Sequence, residues 1–229
     1  MPEYVVLVGL AVAGLVAFLI YKGVLSARET KAERIRCLRA QGFEPLETPP
    51  DDVQDAILAL HQRGKKADHK MDEVFERRGS SDRLYLFDLE DGSGDSVHTG
   101  VMAVVSPRLH APRLTISPRL EGEGRLAALG NVLLKKVGHH NGRTVDFAAH
   151  PRFARRHFVS GPDPEAIRRF LTERRLDRLA ELRHVAVEAE DHALTCTHVP
   201  FGGKVGRIDR ESVARRVDLA EQLLRILGS

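Results

Sequence analysis

Arg83-Leu84-Tyr85-Leu86-Phe87-Asp88-Leu89 carries apolar side chains on both of its faces, and Asp91-Gly92-Ser93-Gly94-Asp95 follows as a dense run of turn formers. Val97 to Val105 then returns as a second apolar run. Two such runs about a Gly/Asp turn predict a long β-hairpin, and that hairpin sets the fold class.

Downstream, Leu114-Thr115-Ile116 reads as a third strand between Pro112 and Pro118. Residues 125–137 change period: Leu126, Leu129, Leu133 and Val137 share one helical face. A short strand follows from Thr144 to Ala148, and Phe153 and Phe158-Val159 read as a second extended piece. Gly161-Pro162-Asp163-Pro164-Glu165 starts a helix, with Asp163 as cap and Pro164 at the first helical position. Ile167, Phe170 and Leu171 form its buried face, but Leu176, Leu179 and Ala180 do not continue that face, so Thr172 is read as the cap of a second short helix at an angle. Val185, Val187 and Ala189 alternate up to Glu190-Asp191-His192, and Leu194 to Val199 returns as a hairpin. Asp209 caps a final amphipathic helix with Val213, Val217, Ala220, Leu224 and Leu227 on one stripe.

Upstream, Thr48 or Asp51 caps a helix near residues 50–63, its stripe being Val53, Ile57 and Leu60. Hairpins separated by helices predict an α+β domain with a mainly antiparallel sheet, packed helices and a C-terminal amphipathic helix. A curved sheet plugged by the last helix, as in pleckstrin-homology-like folds, is one architecture of that kind.

The amino-terminal end adds a second expectation. Between Tyr4 and Tyr21 no residue is charged, and Lys22 with Gly23-Val24-Leu25 extends the run toward the ~20 residues that span a bilayer core. Tyr4, Tyr21 and Lys22 mark its interfacial boundaries. A cleaved signal peptide would need a basic start, which is missing here. The reading is an N-terminal transmembrane helix in a single-pass protein of the inner (plasma) membrane. Lys22, Arg28, Lys31, Arg34, Arg36 and Arg39 follow the run, which puts the N-terminus outside and the large C-terminal part in the cytoplasm. The chain divides into an anchor at 1–26, a juxtamembrane stalk at 27–49 and an α+β domain at 50–229.

Composition narrows the function. Cys37 and Cys196 are the two cysteines, far apart in sequence, which fits a reducing compartment without a disulfide framework. A formal net charge of +3, no tryptophan and no recognition motif give no reason to expect nucleic acid as a partner. No cofactor motif is present: Gly202-Gly203-Lys204-Val205-Gly206-Arg207 lacks phosphate-loop spacing. His139, His140, His150 and His157 form the densest histidine group, without the convergent ligand spacing that zinc requires. Arg152, Arg155 and Arg156, with His157, form the best surface for an anion or an acidic partner.

His150-Pro151-Arg152-Phe153, His157-Phe158-Val159-Ser160-Gly161-Pro162-Asp163, Ala166 to Leu171 and the hairpin segment Leu86-Phe87-Asp88 resemble uncharacterised bacterial single-pass membrane-anchored proteins, over about residues 83–183. The resemblance implies a fold and no activity or catalytic residue.

Together these features predict a membrane-anchored binding or scaffold module. Its partner would be the membrane, a protein or anionic lipid head groups. The alternative is a membrane-tethered hydrolase with His150 or His157 as base.

Overall fold

The computed structural model describes residues 31–61, 69–79, 81–90, 97–119, 142–198 and 210–229. Within them the chain is α+β, built on a nine-stranded antiparallel sheet. Helix α1 covers residues 31–39. Then come β1 (Glu44–Pro45), α2 (Asp51–His61), β2 (Lys70–Arg78), β3 (Arg83–Glu90), β4 (Val97–Val105) and β5 (Ala111–Pro118). The second half holds β6 (Arg143–Val145), α3 (Pro151–Arg156), β7 (His157–Gly161), α4 (Pro164–Phe170), α5 (Glu173–Leu179), β8 (Val185–Asp191), β9 (Ala193–His198) and α6 (Arg210–Leu227). The spatial order β1-β2-β3-β4-β9-β8-β5-β7-β6 inserts the late β8–β9 hairpin between β4 and β5. The order leaves β1 and β6 as the two edges of the sheet.

The opening hairpin explains the two faces. Leu84 and Leu86 of β3 point into the larger core, with Met102, Val104, Leu114 and Ile116 of the neighbouring strands and the buried faces of α3 to α6. Tyr85, Phe87 and Leu89, one residue out of step, meet Val53 and Ile57 of α2 on the opposite face. That second face is not apolar throughout. One row of cross-strand partners runs Tyr85, Ala103, Thr195, Glu188, Thr115, Ser160 and Thr144, from β3 to the β6 edge. Beyond Ala103 the row continues as hydroxyls and one buried carboxylate, Glu188.

The residues expected as a stalk pack into the domain from position 31 on: Leu38 and Phe43 are fully buried in the larger core. Arg34, 8% exposed, fastens α1 to the sheet. Its guanidinium donates to both carboxylate oxygens of Asp88, at 2.7 and 2.9 Å, and to Glu73 at 2.9 Å. Asp88 sits at a register shift between β3 and β4, and Glu73, with φ +47°, at one between β2 and β3. The two bulges aim both carboxylates at one arginine. Gly100, at φ +66°, gives its N–H to Asp88 at 2.7 Å and its carbonyl to Arg216 of α6.

Three expectations need correction. Among the described residues no helix is long and apolar enough to cross a membrane. The longest, α6, carries Arg210, Glu211, Arg215, Arg216, Asp218, Glu221 and Arg225, charges that a bilayer core rejects. The transmembrane helix in the fold class, the single-pass assignment and the inner-membrane localisation with an outside N-terminus are therefore set aside. Tyr4, Tyr21 and Lys22 lie outside the described residues, as do the 91–95 turn, the 125–137 helix, His139, His140 and the 202–207 loop. Second, Pro151–Arg156 is a helix, not an extended piece: Pro151 sits at its first turn, and pairing resumes only at His157. Third, β5 includes both prolines, starting one residue before Pro112 and ending at Pro118. The break at Thr172 is present, with α4 ending at Phe170 and α5 starting at Glu173.

Candidate functional site

Of the four residues expected to meet an anion, the structure leaves two exposed, one half-buried and one inside. Arg152 and Arg155 are exposed on α3. Arg156 turns in and donates to the carbonyl of Ala180. His157 is 3% exposed, stacks on Phe153 with ring centroids 5.0 Å apart, and has Nε2 3.1 Å from the carbonyl of Leu179. Both carbonyls belong to the C-terminal end of α5, where helical backbone acceptors lack partners. Arg156 and His157 are thus fastenings between α3 and α5. Burial, outweighing its bonds to the Leu179 and Leu182 carbonyls, pushes the His157 pKa down to about 4. The ring is neutral near pH 7, and because a carbonyl only accepts, Nε2 carries the hydrogen.

His157 is buried with Nε2 held at the Leu179 carbonyl, and it lines the pocket between α3 and β7. His150 stands at the other end of α3, its backbone N–H donating to Phe147 at 2.8 Å. Among the described residues no three His, Cys, Asp or Glu side chains gather as a metal site.

The packing of α3 and β7 opens a pocket of about 350 Å³ beside the sheet edge. Phe147, Phe153 and Phe158 form its aromatic wall, the first two edge to face at 5.6 Å. Thr144, Asp146, His157 and Arg119 supply its polar groups. Arg119 is the functional candidate that sequence reasoning missed. It follows Pro118 at the end of β5, and nothing in its local sequence distinguishes it from its neighbours. The fold does: its backbone N–H donates to Arg156 at 2.7 Å, its Nε donates to the His157 carbonyl at 3.1 Å, and its guanidinium carbon lies 3.8 Å from the centre of the Phe158 ring. Burial lowers its pKa, against a smaller raising effect of Asp146.

Two further recesses lie elsewhere. A smaller one, about 80 Å³, holds His61 with Nδ1 3.3 Å from the buried carboxylate of Glu188. A shallow groove runs past His110, Arg169 and Phe170, where Arg175 lies over the Phe170 ring at 4.2 Å and donates to its carbonyl at 2.6 Å. Arg168, also basic, pairs with Glu165 on the solvent side at 2.5 Å.

No family model matches the chain, and no curated protein matches it. Among solved structures, the crystal structure of the mycobacterial trehalose monomycolate transport factor A, TtfA, is similar with a TM-score of 0.52 at 13% sequence identity. The likeness covers 87% of this chain and 97% of that one, and it is a likeness of fold.

Proposed function

We propose that this chain is a binding or scaffold module whose ligand-facing end is built by β6, α3 and β7. It holds an amphipathic, lipid-like molecule, and the exposed Arg152 and Arg155 meet an anionic head group or an acidic partner surface beside it. The observation that carries this reading is the aromatic pocket with one fixed guanidinium on its wall, within the size range of small-molecule sites. The fold neighbour's description as a transport factor for trehalose monomycolate is in keeping with such a ligand.

Vesicle flotation of the full-length protein tests it. Anionic vesicles should retain more protein than neutral ones at low salt, and salt should erase the difference. Replacing Arg152 and Arg155 together by glutamate should abolish the anionic excess. Equal retention on both vesicle types at low salt would remove the lipid-surface part of the reading.

A further inference from the structure

The pocket contains more information than its size. Arg119 is fixed at three points: its backbone N–H, its Nε and the face of its guanidinium. Its two terminal nitrogens hold no hydrogen bond or ion pair with the described residues. A guanidinium immobilised before its partner arrives loses little freedom on binding, and its planar fork matches a carboxylate. Arg156, the nearest basic side chain in sequence on α3, is already committed to Ala180. Among the described residues the pocket therefore presents one cation, not a cluster.

The rest of the wall agrees with a single charge. Phe147, Phe153 and Phe158 supply the aromatic, apolar part of a wall that also carries polar groups, and at ~30 Å³ per water the space equals about a dozen waters. Asp146, exposed at the rim, adds a negative charge near Arg119. A doubly charged phosphate monoester would be repelled there more than a monoanion. Resting on the binding-module reading above, we infer that the pocket takes the carboxylate end of a single-chain amphiphile, a fatty acid in chemical class. Arg119 grips the head group, and the three phenylalanines line the first part of the tail.

The test compares a fluorescent fatty acid with the fluorescent fatty alcohol of the same tail, both titrated into the full-length protein. The acid should bind at least tenfold tighter than the alcohol, since only the acid forms the charge-assisted pair. Arg119→Gln should bring the acid-to-alcohol ratio near one. Asp146→Asn should tighten acid binding alone. Equal binding of acid and alcohol by the wild-type protein would overturn the inference while leaving the pocket as a ligand site. A parallel loss of acid and alcohol in Arg119→Gln would also overturn it, because Arg119 would then be a structural support. No binding of either probe by the wild-type protein would overturn both the inference and the pocket's part in the proposed function.

Discussion

Arg34→Ala is the perturbation that tests the fold most sharply. Arg34 is 8% exposed and holds Asp88 at 2.7 and 2.9 Å and Glu73 at 2.9 Å. Its removal leaves two carboxylates, with side chains 15% and 24% exposed, without their shared cation. Breaking a buried pair by deleting one partner costs about 3–5 kcal/mol, and the partial exposure here argues for the lower end, about 3 kcal/mol. For a domain of this size each kcal/mol lowers Tm by about 2–4 °C, so the loss should be roughly 6–12 °C. Lys31 supplies the internal control. It pairs with the same Glu73 at 2.7 Å but is 60% exposed, so Lys31→Ala should cost under about 1 kcal/mol. Differential scanning calorimetry on the two variants separates the cases. If Arg34→Ala melts within 2 °C of Lys31→Ala, the two bulges do not assemble a buried junction and α1 is not fastened by it.

The His157 pKa of about 4 lies below its unfolded value of 6.5, so the folded state favours the neutral ring. Its contribution is present above about pH 6.5 and is lost as pH falls toward 4. Urea titrations should show His157→Gln, which keeps a donor for Leu179, overtaking the wild type on acidification by at most about 3 kcal/mol. Gly142 has φ +121°, and a Cβ there would clash with the Gly161 carbonyl, so Gly142→Ala should cost over about 2 kcal/mol in chemical denaturation. Asp163 accepts the N–H groups of Glu165 and Ala166, each at 3.0 Å, so Asp163→Ala should cost about 1 kcal/mol by the same assay. Burial pushes the Cys196 thiol up to about 12, so thiol titration of the native protein at pH 8 should label Cys37 and spare Cys196 until denaturant is added.

Much of the fold was legible because it is local. The β3–β4 hairpin, the Asp163 cap with Pro164, the break at Thr172 and the α6 stripe each depend on neighbours within a few residues. The sheet order was not legible, because pairing β9 with β4 and β8 with β5 joins strands far apart in sequence, and no pattern within either strand names its partner. The role of residues 31–49 was hidden for the same reason: Arg34 reads as one more basic residue until two distant bulges bring Asp88 and Glu73 to it. The candidate site was half legible. The basic cluster on α3 was visible as charge, but charge does not show direction, and two of its four members face inward to the end of α5. Arg119 gains its significance only from Phe158 and the His157 carbonyl.

The central claim is that the β6–α3–β7 end is a ligand pocket. Photo-crosslinking with a fatty acid that carries a tail diazirine, followed by peptide mapping, tests it most directly. The account predicts adducts confined to the peptides holding Phe147, Phe153 and Phe158, competed away by unlabelled fatty acid and lost in Ala154→Trp, which fills the pocket. Adducts concentrated in the groove beside Phe170, or spread without competition over the surface, would contradict it.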